Sequence, residues 1–85
     1  PLHGADRAEL GRLVHAVLDR LPHRYGEALE WKYVEGRSVE EISVRLGIGQ
    51  TAAQSLLARA RVAFREGVEA VFGASANDVL ASLEA

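Results

Sequence analysis

The chain has 85 residues, with ten Lys+Arg against twelve Asp+Glu, three His and neither Cys nor Met. That length allows one domain and leaves little room for a deep catalytic cleft, and the missing Cys excludes disulfides, thiolate metal sites and a thiol nucleophile. A composition that is 48% apolar and 26% charged is globular, no apolar run approaches the roughly 18 residues of a membrane helix, and a net charge of −2 is not the usual footprint of a nucleic-acid binder.

Leu10, Leu13, Val14, Val17, Leu18 and Leu21 recur at the spacing of one helical face. They predict a first helix over about 6–20, with Asp6 as N-cap and Glu9 as its acidic partner. Pro22 suits the first position of a second helix, where its missing N–H costs nothing. Tyr25, Ala28, Leu29 and Tyr33 form that helix's inner face, Trp31 and Val34 edge it, and Gly36 ends it. Trp31 and Tyr33 are expected in the core, because the chain has only five aromatic residues to build one.

Ser38 and Glu41 make S-x-x-E, the signature of a capping box at the start of a third helix. Val39, Ile42 and Leu46 give it a short apolar stripe, which runs into the corner Gly47-Ile48-Gly49. A fourth helix is predicted from Gln50 to about Val71, burying Ala53, Leu57, Ala60, Phe64, Val68 and Val71. Leu56 lies at the margin of that line, and Gly67 reads as a weak point near its far end. Beyond Gly73, residues 74–85 form an acidic tail, open between a short helix and a loose end. The fold class is all-α: a four-helix domain over 1–73, with no wing and no strand-like alternation.

The third helix, the corner and the fourth helix have the form of a helix-turn-helix over about 38–65. Gly47 turns the chain sharply where a Cβ would be costly, Ile48 points inward, and Ser43 is small where two helices cross. In this motif the second helix lies in the DNA major groove and its N-terminal residues meet the base edges. Gln50, Thr51, Gln54, Ser55 and Ala58 are the candidates to face bases: Gln reads adenine, while Ser and Thr bond bases or phosphates. Arg37 and Arg59 are the candidates for phosphate contact, and Arg61 is expected to lie along the core edge or pair with an acid. From Gly49 to Arg65 there are three arginines and no acidic residue, so the net charge hides a partition along the chain. His3, His15 and His23 show no metal-ligand spacing, and no nucleophile is paired with a base; no metal, cofactor or enzymatic activity is expected.

From Leu21 to Phe72 the chain resembles region 4 of bacterial sigma factors, and most closely the extracytoplasmic-function group of the sigma-70 family. The carriers are Leu21-Pro22, Arg24-Tyr25-x-Glu27-Ala28-Leu29, Tyr33-Val34-Glu35-Gly36, Ser38-Val39-Glu40-Glu41-Ile42, Leu46-Gly47-Ile48 and Leu57-Ala58-Arg59-Ala60-Arg61. The resemblance implies a cytoplasmic transcription-initiation module that binds promoter DNA at the −35 element. It also implies packing against the β-subunit flap of RNA polymerase and capture by anti-sigma factors, with no membrane contact and as a monomer. The absent Met then fits a piece cut from a longer factor. Where such proteins often carry Lys, Arg, and His or Arg in the recognition helix, this chain reads Gln54, Leu56 and Ala58, so weak DNA binding by the isolated module is expected. Two other readings stay open: a sigma-like module that chiefly binds protein, and a stand-alone helix-turn-helix regulator that dimerises.

Overall fold

A computed structural model describes residues 4–84, with side chains from 8 to 82. Five α-helices follow one another: α1 (Gly4–Arg20), α2 (His23–Leu29), α3 (Val39–Leu46), α4 (Gln50–Phe72) and α5 (Ala76–Glu84). A π-helical turn, Glu30–Val34, extends α2, and a 3-10 turn, Gly73–Ser75, joins α4 to α5. There is no strand among the described residues. The all-α class and the helix-turn-helix are as the apolar spacing predicts.

The 23 residues of α4 make a rod of about 35 Å, close to the longest extent of the molecule, 39 Å. Every other helix packs against it. Its N-terminal half meets α2 and α3 in one apolar cluster, Ala28, Ile42, Leu56 and Leu57, with Tyr25, Trp31, Val39 and Leu46 packed around it. Its C-terminal half meets α1 and α5 in a second, Val17, Val68, Ala76 and Val79, flanked by Leu10, Phe64, Phe72 and Leu80. Ala53 and Ala60 are fully buried on the same side of α4, where their small side chains let neighbouring helices approach.

Several local expectations are corrected. α1 is already helical at Gly4, ahead of Asp6; the side chain of Asp6 lies outside the described residues, and Glu9 pairs with Arg12 one turn on. Pro22 is the N-cap of α2, with an extended ψ of 139°, rather than its first helical residue. Tyr33 is 60% exposed, not buried, and Val34, expected at the edge of that face, is 75% exposed. The cause is the π turn, in which the Glu35 N–H donates to the Glu30 carbonyl at 3.0 Å. One extra residue per turn slips the inner face of α2 and carries Tyr33 outward, while Trp31 stays half-buried against the core. Val71 is 42% exposed, because the chain reverses at Gly73 and lays α5 along the side that carries Phe64, Val68 and Phe72. Gly67 is not a weak point but a point of closest approach: a Cβ there would stand 2.6 Å from Val17 Cγ1.

Candidate nucleic-acid interface

Three local devices place the start of α4. The Ser38 hydroxyl accepts the Glu41 N–H at 3.1 Å, and the Glu41 carboxylate accepts the Ser38 N–H at 3.0 Å, so the predicted capping box fixes where α3 begins. These bonds, with the Arg37 guanidinium beside them, hold the Glu41 carboxyl below the usual carboxylate range. At the other end of α3, Gly47 takes a left-handed φ of 68°. Its N–H donates to the Val44 carbonyl at 3.2 Å, and the Ile48 N–H donates to the Ser43 carbonyl at 3.0 Å. The paired bonds satisfy two carbonyls left over at the helix end and turn the chain within three residues into Gly49, the extended N-cap of α4. Ser43 is buried under this corner, its hydroxyl donating to the Glu40 carbonyl at 2.7 Å.

On α4, Ala53, Leu56, Leu57 and Ala60 are buried, which turns the rest of the leading half outward. Gln50, Thr51, Gln54, Ser55, Ala58 and Arg59 are all exposed. The five residues expected to face bases are therefore together on one open surface. No side chain caps the first turn of α4, and that turn carries no acidic residue, so its N–H groups and helix dipole favour an approaching anion. Arg59 forms no ion pair among the described residues. Arg37 does: its Nε lies 3.2 Å from Glu35 Oε1 and its Nη1 3.5 Å from Glu41 Oε2. A phosphate contact by Arg37 would exchange those two carboxylates for the phosphate.

The comparison with known families falls on the same elements. The family model described as Sigma-70, region 4 matches residues 11–64, well over half of the chain, from α1 through the corner to Phe64 on α4. The chain belongs to the sigma-70 region 4 family. No curated protein and no solved structure gives a match. Because the match starts at Gly11, most of α1 belongs to the region 4 domain, ahead of the Leu21 at which the motif resemblance begins.

The region 4 domain has a second surface, which the sequence spacing did not locate. A groove of about 530 Å³ runs between α1, the α2 π turn and α4, with Leu80 of α5 at its edge. Val14 and Leu18 of α1, Leu29 and Val34 of the second helix, and Val62 and Phe64 of α4 line it. Three of the five exposed large apolar residues among the described residues, Tyr33, Val34 and Val62, are on its walls. The available signal was Val62, an apolar residue in the middle of α4's outward face; the exposure of Val34 depends on the π turn and left no mark in the spacing. Ala58 is exposed beside Gln54 and Ser55 and also lines the groove. Arg61 pairs with no acid among the described residues; its Nη1 donates to the Tyr33 hydroxyl at 3.1 Å.

Proposed function

We propose that this region 4 domain recognises the −35 promoter element and docks on the RNA polymerase β-subunit flap. Helix α4 enters the major groove, where Gln50, Thr51, Gln54, Ser55 and Ala58 face base edges while Arg59, and Arg37 on release from its carboxylates, hold phosphates. The apolar groove receives the flap. It acts as a binding module in the cytoplasm, as one copy per polymerase. The observation that carries the reading is the leading half of α4, polar, acid-free and open on one side and wholly buried on the other, directly after the Gly47 corner.

Footprinting with reconstituted polymerase on a promoter tests it. Gln54→Ala with Arg59→Ala is expected to reduce −35 protection by about tenfold or more, on the scale of one base contact and one phosphate contact. Unchanged protection removes those residues from the interface.

A second reading draws support from the groove: exposed apolar side chains gathered on one concave face mark a protein-binding surface, so an anti-sigma factor is a partner of the same face. A dimeric stand-alone regulator is separated from both readings by sedimentation, which is expected to show a monomer.

A further inference from the structure

The groove's α4 wall carries charge as well as apolar surface. Arg61 and Arg65 both line it, and their spacing of four residues puts them on the same helix face with Cβ atoms roughly 6 Å apart. Both side chains are exposed, and neither forms an ion pair among the described residues. Arg61 is nevertheless held in place. The Tyr33 hydroxyl, turned outward by the π segment, accepts from its Nη1 at 3.1 Å across the groove. A neutral hydroxyl fixes direction without compensating charge, and it keeps its own proton to give. The groove's one carboxylate, Glu30, stands opposite His15 of α1 at 3.9 Å and not against the arginines. The groove is thus mainly apolar, with Glu30 on one wall and, on the α4 rim, two cations that form no ion pair among the described residues.

An apolar groove between helices takes the apolar face of an amphipathic helix, and charges at its rim decide register and partner more than raw affinity. We infer that Arg61 and Arg65 are specificity-determining residues of this groove, with Tyr33 as the positioning residue of Arg61: they select a polymerase helix bearing two carboxylates one turn apart beside its apolar stripe. The inference rests on the reading that the groove is where polymerase docks. Guanidinium forks match carboxylates in geometry as well as sign. A helix lysine at the same place would meet like charge. The Tyr33 bond holds the Arg61 fork toward the groove before the partner arrives, which lowers the ordering cost of docking.

The test measures binding of the 85-residue chain to core RNA polymerase across a salt series, beside two synthetic amphipathic peptides. The peptides share one apolar stripe and carry glutamates or lysines four residues apart. Arg61→Gln with Arg65→Gln is expected to weaken polymerase binding about tenfold, on the scale of two part-exposed ion pairs, and to flatten its salt dependence. Tyr33→Phe is expected to weaken binding less, leave the salt dependence unchanged and narrow the preference for the glutamate peptide. Binding by the double glutamine variant equal to the parent at every salt, or equal binding of both peptides, overturns the inference. Val62→Asp separates it from the reading beneath it. Loss of polymerase binding in Val62→Asp with no effect of the arginine changes sinks the charge selection alone, whereas full binding by Val62→Asp sinks the groove reading and the inference with it. Arg61, Arg65 and Val62 are all exposed, so unchanged helical unfolding is the control for each.

Discussion

At Ser38 a single hydroxyl decides where the helix-turn-helix begins. Ser38→Ala leaves the Glu41 N–H without its partner and is expected to lower stability by about 1 kcal/mol, a fall in Tm of roughly 4–8 °C for a domain this size. Its reciprocal partner gives a pH test. The folded state holds the Glu41 carboxyl below its ordinary value, first through the Ser38 N–H, then the Ser38 hydroxyl and the Arg37 guanidinium. A group lowered on folding stabilises fully above its unfolded value, and that contribution is lost as pH falls through the folded one. Urea unfolding should therefore separate the parent from Glu41→Gln at neutral pH, and the gap should close below about pH 4, where free Glu protonates. A gap that persists in acid would mean the carboxylate charge does not contribute. Both residues of the box were legible in the sequence because a cap is local: four consecutive residues, Ser38 to Glu41, contain the whole geometry.

The helices show what local reading misses. The apolar spacing marked α4 and its line from Ala53 to Val68 because a helix face repeats within the sequence itself. Gly67 was misread because its meaning lies in another element. Val17, nearly fully buried on α1, approaches so closely that a Cβ on Gly67 would stand 2.6 Å away. Gly67→Ala gains up to about 1 kcal/mol of helix propensity against an overpacking cost of about 1–3 kcal/mol, since the added Cβ would press on a buried Val17. Thermal unfolding is expected to show net destabilisation, partly relieved in Gly67→Ala with Val17→Ala; a more stable Gly67→Ala would show that α1 shifts freely. The π turn was hidden for a related reason. Tyr25, Ala28, Leu29 and Tyr33 keep α-helical spacing in sequence, and the backbone bonding of the π segment, such as Glu35 N–H to the Glu30 carbonyl, reveals the slip that turns Tyr33 into the groove. The set proposed to face bases was visible as one face of one helix, whereas the groove needs three helices and Leu80 of α5, and no single stretch of sequence contains it.

Across the whole molecule the net charge of −2 sets how the domain meets DNA. Acidic residues are absent from Gly49 to Arg65 but return at Glu66 and Glu69 on the same long helix, and both are exposed. The attractive stretch is therefore short: only the leading half of α4 can lie along a duplex without bringing carboxylates toward phosphates. Of the two arginines assigned to phosphates, Arg37 is already engaged by Glu35 and Glu41. Each phosphate neutralised contributes a slope of about −0.9 to log affinity against log salt, so one or two contacts give a shallow slope and a weak complex. The isolated chain is expected to give little or no promoter shift at physiological salt and measurable binding at low salt. Fluorescence anisotropy over a salt series should find that Arg59→Ala lowers the slope by about 1 and weakens all sequences alike. Gln54→Ala should leave the slope unchanged and narrow the difference between promoter and unrelated DNA. Core polymerase should restore promoter binding, because the proposed docking in the groove would turn a weak bimolecular encounter into a local one at high effective concentration. Tight, salt-independent binding by the isolated chain would contradict the short attractive stretch, and with it the division of labour between α4 and the groove.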